Sequence, residues 1–185
     1  MKQIVLTLAL LVFSVGSYAA QTLELGAKSG KVEFLAKGPL VRVNGKGPGA
    51  TGKLTVADGV ASGVLSLNLA ELDTGISLRD DHMKNKYLEI SKKGFDKALL
   101  KIKSAKLPKK LKGKGEFTGV MKLHGQTKPV KGSFKMKGVK GGKVQINAEF
   151  KLRFSDFKIP LPSFKLVSVG EEISIKVSAK ADVKN

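Results

Sequence analysis

The chain has 185 residues, 42% of them hydrophobic, with no Cys, no Trp and a formal charge of +19 from 34 Lys+Arg against 15 Asp+Glu. That length gives one domain with a core of its own, and the missing Cys excludes disulfides, thiolate metal sites, Cys nucleophiles, iron–sulfur clusters and lipid-modified cysteine anchors. The apolar content excludes wholesale disorder, while the basic balance turns attention to anionic partners without bearing on the fold.

The N-terminal segment reads as an export label. Lys2 precedes an apolar run from Ile4 to Val15, and Ser17 and Ala19 form a small-x-small cleavage site with the cut after Ala19. The run is far shorter than the ~20 residues that span a bilayer. Residues 1–19 are therefore expected to be a signal peptide and 20–185 a single mature domain, periplasmic or secreted.

From there the chain alternates with a period of two. Val32, Phe34 and Ala36 stand opposite Lys31, Glu33 and Lys37, with Leu35 as an extra apolar residue. Leu65, Leu67 and Leu69 alternate with Ser66 and Asn68. The period then changes: Met83, Tyr87 and Ile90 recur at helical spacing behind Asp80 and Asp81, which suit a helix N-terminus. One short helix is expected, roughly over residues 80–88. Beyond it Phe117, Met121 and Leu123 share a face, and Val144, Ile146, Ala148, Phe150, Leu152 and Phe154 alternate without a break. Ile173, Ile175, Val177, Ala179 and Ala181 close the series. Strands of this kind bury one face and wet the other.

Glycines punctuate the runs at Asp58-Gly59, Gly113 and Gly115, His124-Gly125 and Gly141-Gly142, positions suited to turns, while Gly63, Gly119 and Gly132 fall inside strand patterns and suggest bulges or bends. Evenly spaced strands joined by such signals predict an all-β sandwich or barrel.

Fifteen Lys fall between Lys97 and Lys143, with Glu116 the one acid among them, and the three Arg are Arg42, Arg79 and Arg153. Nucleic-acid readers lean on Arg forks and stacking aromatics; with aromatics at 6%, no nucleic-acid partner is expected. Two readings remain. The lysines form a solvated outer face that guards strand edges, or they attract anionic lipid headgroups or cell-surface polymers.

Chemistry is scarce. His82 and His124 are the chain's two histidines, and neither stands in a metal-ligand or nucleophile spacing. Gly45 to Gly52 is Gly-rich but lacks the Lys-Ser/Thr ending of a phosphate loop. Asp80/Asp81 and Glu171/Glu172 read as a helix-start pair and a loop pair. No enzyme activity, metal or cofactor is expected.

Three runs then become familiar. Leu72-Asp73-Thr74-Gly75 leads to Arg79-Asp80-Asp81-His82-Met83-Lys84. Gly119-Val120-Met121-Lys122-Leu123 leads to His124-Gly125-Gln126-Thr127-Lys128-Pro129-Val130. Arg153-Phe154-Ser155-Asp156-Phe157 precedes Gly170-Glu171-Glu172-Ile173. In this order they resemble the signature runs of the YceI-like family of exported lipid-binding proteins. The chain departs from the family pattern after the helix, with Tyr87-Leu88 in place of an aromatic pair and no Pro in Gly94-Phe95-Asp96-Lys97-Ala98.

The resemblance implies an antiparallel, eight-stranded, lipocalin-like barrel with a short helix after the Thr-Gly motif. It also implies an elongated apolar pocket for an isoprenoid, a quinone tail or a fatty chain, bound as ligand rather than cofactor. On the inner faces, small residues at Gly119, Ala148 and Ala179 are expected to leave room. The expected lining is Phe34, Leu65, Leu67, Met121, Leu123, Phe134, Met136, Phe150, Leu152 and Phe154, with Leu65 and Leu67 fitting either face. Arg79, Asp80, Asp81, His82, His124, Arg153 and Asp156 are the mouth or motif candidates. Arg79 to His82 either meet a ligand's head or pin the helix to the barrel, and Arg153 with Asp156 reads as a buried pair. The alternative is a barrel filled by its own side chains, acting as a Lys-rich adaptor on anionic membranes or polymers.

Overall fold

The computed structural model describes residues 21–164 and 167–184; the expected signal peptide lies outside these residues. The alternating segments form twelve strands: β1 (Gln21–Leu25), β2 (Gly30–Lys37), β3 (Arg42–Pro48), β4 (Thr51–Ala57), β5 (Val60–Asn68), β6 (Lys97–Lys106), β7 (Lys112–Leu123), β8 (Gln126–Lys140), β9 (Lys143–Arg153), β10 (Ser163–Phe164), β11 (Val167–Ser168) and β12 (Glu172–Lys184). β1 and β2 form one stave, broken by a single turn at Ala27–Ser29. β3 and β4 form the next, broken at Gly49-Ala50, where the Gly49 amide donates to the Ala27 carbonyl.

Every neighbouring pair is antiparallel, and β12 closes the ring by pairing β9 on one side and both β1 and β2 on the other. The result is an eight-stave antiparallel barrel with a small β10–β11 hairpin outside it. Closure removes the free strand edges that a sheet of this length would otherwise expose. The alternation is apolar inward and lysine outward, the reverse of a barrel wall that faces lipid.

Asp58-Gly59, His124-Gly125 and Gly141-Gly142 make the tight hairpins, each with positive φ at both residues. Gly113 and Gly115 are not turn residues: both lie within β7. Gly115 sits directly across from Phe134, as Gly132 does from Phe117 and Gly45 from Phe34. A Cβ on any of these three glycines would come within 2.5 Å of the opposing ring. Phenylalanine thus lies flat over glycine on the neighbouring strand, which explains glycines in the middle of strands.

One half of the barrel is filled. Leu23, Leu54, Ala61, Phe117, Phe134, Met136, Val144 and Ala181 are buried there, and Phe117 meets Phe150 edge to face at 5.9 Å. Leu111, held at positive φ between β6 and β7, is buried within the same core. Gly119, Ala148 and Ala179 stand outside the vacant space, contrary to expectation. At Gly119 a Cβ would stand 2.4 Å from the Lys101 carbonyl oxygen, so the small residue lets strands approach rather than leaving volume.

The other half is roofed by the excursion between β5 and β6. Its helix α1 (Ser77–Asp81) runs on into a wider π-type turn at His82–Tyr87. The helical segment therefore starts three residues before the position read from Asp80 and Asp81. Those aspartates fail as a start signal because Asp80 serves a different contact, described below.

Candidate functional site

Under this roof lies a cavity of about 620 Å³. Strand alternation builds its walls: Val32 and Phe34 from β2, Leu65 and Leu67 from β5, Ala98 and Leu100 from β6, Met121 and Leu123 from β7, Phe150 and Leu152 from β9, and Ile173, Ile175 and Val177 from β12. Register places Leu65 beside Leu100 and Leu100 beside Met121, a continuous apolar row across three strands. Met83, Tyr87, Leu88, Phe154, Phe157 and Ile159 cover it from the loops. Ile76 and Leu78 line the same space yet are 53% and 67% exposed, so the opening lies beside α1. A barrel of eight staves has room for its own side chains or one small ligand; this one is filled by side chains in one half and leaves a cavity in the other. The filled-barrel alternative is thereby corrected.

Eight of the ten expected lining residues border the cavity: Phe34, Leu65, Leu67, Met121, Leu123, Phe150, Leu152 and Phe154. Phe134 and Met136 do not, because they lie in the closed half, Phe134 over Gly115. Of the mouth candidates, Arg79, His82 and Arg153 border the cavity, while Asp80, Asp81, His124 and Asp156 do not. Arg153 is exposed and makes no ion pair with Asp156 among the described residues, so the expected buried pair is absent. The expected lining lacks the wall residues Val32, Ala98, Leu100, Ile173, Ile175 and Val177, although strand alternation marks most of them as inward, and it lacks the roof residues Leu72, Leu88, Phe157, Ile159 and Val169. The roof residues sit in irregular segments where no period marks the inward face.

Arg79 and Asp80 pin the helix. Thr74 is buried, and its amide and hydroxyl both donate to Asp80 Oδ1, at 2.8 and 2.5 Å. Arg79 Nη2 donates to the Thr74 carbonyl at 2.6 Å, and Asp73 exchanges two backbone hydrogen bonds with Lys46 on β3. Asp81 holds Asn85 one turn on. Burial raises the Asp80 carboxyl's affinity for its proton, but the two Thr74 hydrogen bonds, with smaller contributions from Asp73 and Lys84, together outweigh it, and the pKa falls below the ordinary value. A carboxylate with a lowered folded pKa adds stability above its unfolded value of about 3.9 and loses it as pH falls through the lower folded value. Asp80→Asn should therefore cost about 1–2 kcal/mol near neutrality and flatten the acid limb of a stability–pH profile below about pH 4. An unaltered acid limb in urea titrations would place the anchor elsewhere.

Of the mouth or motif readings, His124 takes the second: it is another tie and does not border the cavity. It is buried in the β7–β8 turn, where Nδ1 donates to the Phe157 carbonyl and Nε2 lies 2.9 Å from Glu89 Oε2. Its ring packs on Phe95 with centroids 4.6 Å apart. Lys92 first, and His124 second, hold the Glu89 carboxyl below its usual pKa. Glu171 makes a third tie by accepting from the Ser155 amide at 2.7 Å. The cavity's polar side chains among the described residues, Thr74, Arg79, His82, Tyr87, Arg153 and Ser163, include no carboxylate.

Residues 24–181 match the family model of the YceI-like domain. Solved structures with the same fold include a polyisoprenoid binding domain from Saccharophagus degradans implicated in plant cell wall breakdown, 12% identical with a TM-score of 0.67 over 88% of this chain and 98% of that one. Burkholderia cenocepacia BcnA is 17% identical with a TM-score of 0.69, over 84% of this chain and 98% of its own. A Campylobacter jejuni YCEI protein is 18% identical with a TM-score of 0.64, over 79% of this chain and 88% of its own. At these identities the likeness is one of fold. None of the curated proteins matches the chain.

Proposed function

Because the chain belongs to the YceI-like domain family, we propose that it is an exported, non-catalytic binding protein. It holds one long apolar chain, a polyisoprenoid, an isoprenoid quinone tail or a fatty chain, in the open half of its barrel, for carriage or sequestration. The observation that carries this reading is the 620 Å³ apolar cavity, continuous with the exposed Ile76 and Leu78 at its mouth. Its volume falls in the range of small-molecule sites. A chain burying ten carbons gains about 8 kcal/mol at ~0.8 kcal/mol per methylene, enough to leave a net affinity after association costs are subtracted. A sugar or nucleotide would leave its polar groups unpaired against Leu, Ile and Phe.

The relative from S. degradans is a polyisoprenoid binding domain, which supports a prenyl chain as the first probe. Export rests on the Lys2-to-Ala19 pattern. Native mass spectrometry and lipid extraction of protein purified from its own host test the proposal. Recovery of an apolar chain bound one to one is expected. Repeated recovery without one, together with no uptake of prenyl or acyl probes, would contradict it.

A further inference from the structure

The strand register pairs lysine with lysine. On the outer wall of the closed half, Lys112 stands directly across from Lys137, and Lys114 from Lys135. At the hairpin beyond them, Lys140 stands across from Lys143. All six are exposed. Like charges facing each other across two strands work against the sheet. Glu116 is the one acid on either β7 or β8. Among the described residues, neither Lys112–Lys137 nor Lys114–Lys135 has a carboxylate partner, whereas Lys143 has Asp182. A solvated face needs no such rungs, since alternation puts any polar residue outward equally well.

The mouth end is different in charge. There the segments 69–96 and 153–172 carry nine acids, Glu71, Asp73, Asp80, Asp81, Glu89, Asp96, Asp156, Glu171 and Glu172, against eight Lys and Arg. The segments that roof the cavity are therefore nearly balanced in charge, whereas β7 and β8 carry eight Lys against the single Glu116.

We propose that the β7–β8 face of the closed half docks on an anionic lipid bilayer, leaving the mouth directed away from that surface. The chemistry favours lipid over other polyanions. The cations of this face are all lysine, mobile point charges on flexible stems that suit laterally mobile headgroups, whereas the three arginines that would fork onto fixed phosphates lie elsewhere at Arg42, Arg79 and Arg153. The aromatics of these strands, Phe117 and Phe134, are buried inside the barrel and cannot stack on bases. Anionic membranes attract such lysines additively, and the attraction dies within a Debye length. The docking is independent of what the cavity holds.

The test uses the full mature chain and sedimentation with vesicles of phosphatidylglycerol and phosphatidylcholine mixed equally, against phosphatidylcholine alone. The fourfold variant Lys112→Gln, Lys114→Gln, Lys135→Gln, Lys137→Gln should bind the anionic vesicles at least about a hundredfold more weakly. Removing facing like charges should leave its thermal stability equal or higher, so loss of fold does not mimic loss of docking. A control with the same charge change at the mouth end, Lys84→Gln, Lys86→Gln, Lys92→Gln, Lys93→Gln, should stay within about threefold of the parent. Since the chain lacks Cys, an environment-sensitive dye on Val139→Cys should respond to vesicles and one on Ser91→Cys, exposed on the roof side and outside the cavity lining, should not. Equal loss in both lysine variants, a dye response at Ser91 instead, or retention on heparin without vesicle binding would each overturn the proposal.

Discussion

Leu100→Trp is expected to weaken uptake of a prenyl or acyl chain by about a hundredfold while leaving the barrel folded. Leu100 occupies the middle of the Leu65–Leu100–Met121 row across the cavity wall. An indole there takes the place of about four chain methylenes, worth roughly 3 kcal/mol of burial or two decades in affinity. Because the added ring enters vacant space rather than a filled core, stability should change by less than about 1 kcal/mol. The chain has no other Trp, so the indole's own fluorescence reports whether the cavity is occupied. A matched change in the filled half, Met136→Ala, should behave in the opposite way, costing about 2–5 kcal/mol of stability with little effect on uptake. Equal uptake by Leu100→Trp and the parent would mean that chains bind elsewhere.

His124→Ala is expected to cost about 2–4 kcal/mol, because it leaves the buried Phe157 carbonyl without this partner, takes one of two partners from the part-exposed Glu89 and removes a packed ring. The Phe157 carbonyl and Glu89 would both lose a hydrogen bond, and Phe95 its ring neighbour. These three groups come from the 155–157 turn, the segment after the helix and the loop before β6, so one side chain joins the pieces of the roof. The roof should loosen first: amides of residues 82–96 and 154–159 should gain exchange rates more than those of β7 and β8. Urea denaturation with hydrogen exchange measures both effects. A change under about 0.5 kcal/mol would reduce His124 to a simple turn residue.

The strands were legible because burial on one face imposes a period of two, and in sequence β9 keeps it from Val144 to Leu152 without exception. Barrel closure has no such period. It depends on β12 reaching β9, β1 and β2 at once, a contact between segments far apart in sequence. The division into a filled and an open half was equally hidden. Phe134 and Phe150 look alike in the sequence, both inward on their strands, yet Phe134 lies over Gly115 in the packed end while Phe150 borders the cavity. Small inner residues misled, since Gly119 brings strands together instead of leaving room. Arg79 and Asp80 admit two readings in the sequence, a ligand's head or a helix pin, and their partner Thr74, which supplies the hydrogen bonds that pin them, is visible only in the fold. His124 reads from sequence only as a mouth or motif residue, because its bonds to Glu89 and Phe157 span more than thirty residues in either direction, beyond the reach of local pattern.

Everything rests on unfilled apolar room of fixed extent, and calorimetric titration with prenyl alcohols of increasing length probes it most directly. Affinity should rise with each added isoprene unit until the space bordered by Phe150, Leu100 and Tyr87 is full and then level off, with a negative heat-capacity change throughout. No binding at any length, or an affinity indifferent to length, would contradict it.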